Sequence, residues 1–155
     1  MKALTSAEEL LQLVTFNLDN EEYAVDILKV QEINRMTEIT RVPNSPAYVE
    51  GVVNLRGKVI PVINIRTKFN LAAKEPDSRS RIMIMDIEGI TMGVVVDSVS
   101  EVLRIPGNIV EPTPPMASNI STEFMRGIAK LEDRLIILLD LDRMLGKSDS
   151  VALLE

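Results

Sequence analysis

Tyr48 to Asn70 and Phe124 to Gly146 are one pattern written twice, in step and without a gap. Gly51 falls on Gly127, Leu55 on Leu131, Lys58 on Arg134, Ile60 on Ile136, Asn64 on Asp140 and Asn70 on Gly146. A fainter match lies upstream: Phe16 to Ile33 runs in register with Met85 to Val102 and sets Glu32 on Glu101. Between these parts the second copy is seven residues longer. One small unit, used twice, is the plan of the chain.

Composition narrows what such a unit can do. A chain of 155 residues makes one domain or two small lobes and buries roughly two-thirds of its unfolded surface. Apolar residues make up 46% but only two Tyr and three Phe are aromatic, so the core must be Val, Ile, Leu and Met. A net charge of −6 repels phosphate backbones and argues against nucleic acid as a partner. No run is long and apolar enough to insert directly into a membrane. Leu10, Leu11 and Leu13 follow Glu8, Glu9 and a single Lys2, which is no secretion signal. The expected location is the cytoplasm. There is no His and no Cys, which removes imidazole and thiol nucleophiles, the usual general base and thiolate zinc sites. An enzyme would have to use carboxylates, Lys, Tyr or Ser. No cofactor or metal is expected.

Spacing gives the elements. Ser6 and Glu9 form a capping-box pattern. Leu13 to Leu18 alternates as a strand, Asp19 to Glu22 turns, and Tyr23 to Ile27 is a second strand. Leu28 to Met36 and its copy Ser98 to Ile105 read as strands, kinked near Leu28 and Asp97. Val49–Leu55 and Lys58–Asn64 form a hairpin whose turn holds Arg56 and Gly57, the latter free to take positive φ. Pro61 lacks an N–H and belongs at an edge or bulge. Ile65 to Phe69 is a short helix ended by Asn70, and Leu141 to Leu145 is its copy, ended by Gly146. Arg81–Ile87 and Ile90–Val96 are strands, as are Met125–Leu131 and Arg134–Leu139, while Pro106 to Ile120 is a long loop. Leu71 to Ser80 reads as the linker between lobes of about 20–70 and 80–146, with the strand at 12–18 free to pair with either. The result is two groups of five short strands that curl into two small barrels.

Residues 12 to 146 resemble the CheW family of chemotaxis coupling proteins. The resemblance rests on Glu21-Glu22-Tyr23-Ala24-Val25-Asp26-Ile27, Val30-Gln31-Glu32-Ile33 and Gly51-Val52-Val53-Asn54-Leu55-Arg56-Gly57. It continues through Ile60-Pro61-Val62 and Val94-Val95-Val96-Asp97-Ser98-Val99. It implies an all-β fold of two five-stranded SH3-like barrels side by side, with short helical turns and a short C-terminal helix, flanked by tails at 1–11 and 147–155. It also implies no catalysis. The implied role is an adaptor joining the cytoplasmic tips of chemoreceptors to the regulatory domain of the CheA histidine kinase, beside other copies of itself in arrays at the inner membrane. Two alternatives stand beside it: an SH3-like scaffold of another kinase pathway, and a carboxylate-dependent enzyme built on Asp19, Glu21 and Glu22 or on Asp140 and Asp142.

Residue roles follow from the same resemblance. Val14, Ile27, Val30, Ile33 and Val99 line a groove for the receptor tip. The copies also hold more apolar positions per strand than one small barrel can enclose, so some must face the other lobe or the outside. Glu32 joins this set as the expected partner of Arg56, whose planar fork can hold a carboxylate bidentately. Ile39, Val42, Pro43 and Asn44, with Asn54, Arg56, Gly57 and Lys58 of the hairpin, face the kinase. The second copy has Glu132 and Asp133 where the first has Arg56 and Gly57. The fold therefore does not demand Arg-Gly there. Met116, in the proline-rich loop, marks a further candidate interface. The plain reading of each is barrel core, hairpin turn or stiffened loop.

Overall fold

Alternation in the sequence becomes hairpins at nearly the predicted places. The computed structural model describes residues 10–112 and 124–144. Its strands are β1 (Leu10–Leu18), β2 (Glu21–Asp26), β3 (Val30–Arg35), β4 (Val49–Leu55), β5 (Lys58–Asn64), β6 (Arg81–Ile87) and β7 (Ile90–Val96). They continue as β8 (Ser98–Pro106), β9 (Val110–Glu111), β10 (Met125–Leu131) and β11 (Arg134–Leu139). Single-turn helices α1 (Ile65–Lys68) and α2 (Leu141–Met144) follow β5 and β11. The kink near Leu28 is a 3-10 turn, Ile27–Lys29, capped by Asp26, whose carboxylate accepts the Leu28 N–H at 2.9 Å. Asn70 takes φ 61° and ends α1 as expected. The Ser6–Glu9 box, Gly146 and Met116 lie outside the described residues.

Two local readings change. The segment read as loop from Pro106 contains a 3-10 turn, Gly107–Ile109, and then β9, which pairs with β10 through Glu111 and Val110. Pro106 and Pro112 flank this strand rather than interrupt it. Pro61 lies in an inner strand, not at an edge. The β5–β7 ladder begins one residue later, at Val62, so the missing N–H is not called on there.

The strands form two sheets, β8-β1-β2-β11-β10-β9 and β3-β6-β7-β5-β4. The lobes are therefore not the two sequence copies, and the expected division at 71–80 does not separate them. Among the described residues the first lobe takes 10–26, 98–112 and 124–139, and the second takes 30–96. Each copy gives its first hairpin to the other lobe: β1–β2 joins β10–β11, and β6–β7 joins β4–β5. The registers repeat with the sequence. Leu138 opposite Ala24 corresponds to Val62 opposite Gly93, and Val14 opposite Val102 corresponds to Met83 opposite Ile33. A pseudo-two-fold relation follows.

Each sheet curls because the chain returns to its far edge. Thr40 exchanges two backbone hydrogen bonds with Val52, of 2.9 and 2.8 Å, tying the segment after β3 to β4. In the other lobe β9 does the same to β10. Both closures pass a glycine at a bulge. A Cβ at Gly127 would lie 2.7 Å from the Glu111 carbonyl oxygen, and one at Gly51 would collide with the Thr40 carbonyl. This explains why glycine sits at both positions.

The apolar residues divide three ways. Leu13, Ala24, Ile105, Ala129, Ile136 and Leu138 fill one barrel. Val53, Ile60, Val62, Ile82 and Ile84 fill the other. A larger cluster lies between the lobes and draws on both sheets, with Val14, Phe16, Tyr23, Val25, Met83, Met85, Met92 and Val94 among its members. That is why Leu13 to Phe16 is buried on both faces: one face serves its barrel, the other the seam.

Candidate functional site: an arginine clasp and the rim of the seam

The β4–β5 turn sets a cation at the tip of the hairpin. Arg56 and Gly57 take φ 52° and 85°, the left-handed pair of a type I′ turn. Asn54 Oδ1 accepts the Gly57 N–H at 2.9 Å and holds the turn closed. The Asp86–Gly89 turn is built the same way, with Gly89 N–H on Asp86 Oδ1 at 2.8 Å and Glu88 at φ 52°. Glu occupies there the place Arg fills at 56. The turn accepts either charge, so its geometry does not explain the arginine.

What Arg56 touches does. Its two terminal nitrogens donate to the two carboxylate oxygens of Glu32 on β3. The bidentate pair anticipated from sequence is present, and it joins the hairpin tip to an edge strand. Arg56 holds the Glu32 carboxyl below the usual carboxylate range, helped by Asn34, and Glu32 raises the guanidinium in return. A carboxyl whose folded value is depressed favours the folded pair above its unfolded value and loses that advantage as pH falls through the folded one. In a carbon-detected NMR titration Glu32 should therefore protonate at lower pH than an unpaired Glu. Arg56→Ala should return it to the ordinary value. A titration identical in the two proteins would show that the clasp does not form in solution.

The other lobe carries a counterpart. Arg134 donates to Glu22 at 2.8 Å and to Glu101 at 2.7 Å, and both carboxylates raise it, Glu101 most. Glu101 is the repeat mate of Glu32, and Arg134 of Lys58 rather than Arg56. The cation has moved two residues along the chain, from the turn into the strand.

The expected receptor-facing set divides. Val14 is corrected to the core: it is 2% exposed, opposite Val102 across the β1–β8 ladder. Strand alternation turned it toward the seam, and the opposite sheet seals it there. Ile27, Val30 and Val99 are half-buried against the same central cluster, at its rim. Ile33 is 39% exposed and shares its face with Met83. Sequence reading missed Val102, which is 57% exposed and is the repeat mate of Ile33. The signal was available in the repeat itself.

The expected kinase-facing residues are spread along β4. Ile39 packs on its barrel core and abuts Gly51. The Val42–Asn44 loop is exposed, with Asn44 at φ 65° and Ser45 Oγ donating to the Val42 carbonyl. Both lie toward the start of β4. Asn54 to Lys58 forms its far end, and Asn54 lies about 10 Å beyond Gly51 at roughly 3.3 Å per strand residue. Arg56 meets Glu32 instead. The acids weighed as catalytic are engaged singly: Asp19 by Arg66 at 2.8 Å, Glu21 by the Tyr23 hydroxyl at 2.6 Å, Glu22 by Arg134, and Asp142 by Lys29 at 2.8 Å. Asp140 caps the Arg143 N–H. Among the described residues no group of three or more His, Cys, Asp or Glu could hold a metal ion, and no helix is long and apolar enough to cross a membrane.

A model of the CheW-like domain matches residues 12–149. The chain belongs to the CheW family. The chemotaxis protein CheW of Klebsiella aerogenes is 37% identical over 93% of this chain and 86% of its own. The corresponding protein of Thermotoga maritima is 34% identical over 94% of each chain. The solved structure of the scaffolding protein TtCheW from Thermoanaerobacter tengcongensis superposes with a TM-score of 0.82, at 36% identity and 96% coverage of both chains. The protein is a CheW-family chemotaxis scaffold, and the family's twin SH3-like lobes are those described above.

Proposed function

We propose that this CheW-family scaffold couples chemoreceptor cytoplasmic tips to the regulatory domain of the CheA kinase, without catalysis of its own, in the cytoplasm at receptor arrays that include other copies of it. The observation that carries the reading is the Arg56–Glu32 clasp beside exposed Ile33. An arginine on a turn that does not require one fixes the position of an edge strand whose next residue offers an apolar side chain to solvent. Ile33, with Ile27, Val30 and Val99 at the seam's rim, suits the apolar face of a receptor helix, as in helix-in-groove recognition. Asn44 and the Val42–Pro43 loop, with Ile39 behind them, suit the kinase domain, and Lys58 and Gly57 at the hairpin tip form a second point of contact. Met116, outside the described residues, is kept as a candidate for a second interface.

A standard interface covers about 800 Å² per partner. Two fit on a chain exposing 9012 Å², and many weak contacts in an array add through effective concentration. The test is equilibrium binding of a receptor-tip fragment and of the CheA regulatory domain, separately and together. Both should bind at once. Arg56→Glu should weaken binding of at least one partner by roughly tenfold, and the swap Arg56→Glu with Glu32→Arg should recover part of the loss. Mutually exclusive binding would defeat the bridging role.

A further inference from the structure

The chain passes between its lobes at two places among the described residues: Ile27–Lys29, from β2 to β3, and Asp97, from β7 to β8. These are equivalent under the internal repeat. Each crossing is pinned by a helical turn. Arg66 on α1 holds Asp97 at the second crossing and Asp19 in the β1–β2 turn, both at 2.8 Å. Asp142 on α2 holds Lys29 at the first crossing, at 2.8 Å, and accepts the Glu88 N–H of the β6–β7 turn at 3.1 Å. Arg66 and Asp142 are repeat mates, and so are Asp19 and Glu88. The same lock is built twice with its charges inverted.

The locks differ in depth. The Arg66 side chain is 8% exposed and Asp97 13%, whereas Lys29 is 43% and Asp142 29% exposed. A buried, multiply bonded charge resists salt and opening, while an exposed pair is weak and screened. Arg66 is further held by the Ala72 carbonyl at 2.8 Å. Beside the shallow lock lies a cavity of about 130 Å³, floored by Val25, Met85, Ile87 and Leu139. The seam between the locks is rich in methionine. Buried Met83, Met85, Met92 and Met125 all lie in it, whereas among the described residues neither barrel interior contains a fully buried methionine, Met36 packing half-buried against one of them. Unbranched thioether side chains repack at low cost where branched ones do not.

We propose that the two crossings form a hinge on which the lobes pivot, with Arg66 as its fixed side and the Lys29–Asp142 pair as the latch that opens first. Opening on that side parts α2 from the β6–β7 turn and gives the methionine seam access to solvent at the existing cavity. The Arg66 side stays closed. Receptor and kinase binding play no part in this inference, so it stands or falls separately from the coupling role.

Two amides report the two sides. Glu88 N–H bonds to Asp142, and Asp19 N–H bonds to Asp97 at 2.8 Å. In the full chain, Lys29→Met should speed hydrogen exchange at Glu88 by roughly two- to fivefold, the worth of one exposed pair, and leave Asp19 unchanged. Methyl relaxation dispersion of Met85 and Met92 should rise with it. Raising salt on the unmutated protein should do the same with no substitution at all. Lys29→Arg, which keeps the cation and leaves Asp142 in place as acceptor, should leave Glu88 protected. Equal loosening at Glu88 and Asp19, or no change at either in both experiments, would overturn the hinge.

Discussion

Arg66→Met lowers the melting temperature by about 6–12 °C, the expected result of removing one partner from a buried ion network at a cost of roughly 3 kcal/mol. Burial opposes the charge of this guanidinium, and the carboxylates of Asp19 and Asp97 more than offset that opposition. Methionine keeps the stem's packing but leaves Asp97, 13% exposed, with Lys74 at 3.8 Å as its nearest cation and the Asp19 N–H as a hydrogen-bond donor. The estimate sits at the lower end for broken buried pairs because Asp19 is half-exposed and rehydrates. Asp97→Asn in the Arg66→Met background should recover part of the loss by removing the stranded charge. Thermal melts of the single and double variants decide it. A single-variant shift below about 2 °C would mean that the lobes do not depend on this network.

Ile33→Glu separates binding from folding. A partner helix seated on the seam's rim would lose an apolar anchor and meet a desolvated carboxylate. Receptor-tip affinity should fall by roughly 30- to 100-fold, the range of a hot-spot residue. Kinase-domain affinity should change by less than about twofold. Stability should hold, because Ile33 is 39% exposed on an edge strand. Val30→Glu behaves differently: its side chain packs against the central cluster, so it should cost about 2 kcal/mol or more of stability as well as binding. Titration calorimetry alongside melts distinguishes the pair. An Ile33→Glu protein that binds the receptor tip as tightly as the original would remove this face from the site.

Much of the site was legible because it is local. The Asn54–Gly57 turn follows from residue types whose allowed φ and side-chain acceptors are fixed within four positions. The Arg56–Glu32 pair was reached from charge, chemistry and family likeness, although the two stand on different strands. Val14 was misplaced for the opposite reason. Alternation says which of two faces a strand residue takes, but it does not say whether a second sheet covers that face. Val102 was overlooked although the repeat pairs it with Ile33. The residues expected to face the kinase rest on family likeness, and β4 strings them out from the Val42–Asn44 loop to the hairpin tip.

The chain's own pattern determined the hairpins, their turns, the two glycines at the closures and the existence of two equivalent units. Tertiary structure alone decided which unit each hairpin completes. A hairpin's register is set by near neighbours, whereas its sheet partner is chosen by where its second apolar face can be buried, and here that place lies in the other copy. Burying both faces of β1, β2, β6 and β7 required the exchange. The exchange, in turn, created the crossings, the methionine seam and the rim that carries Ile33 and Val102.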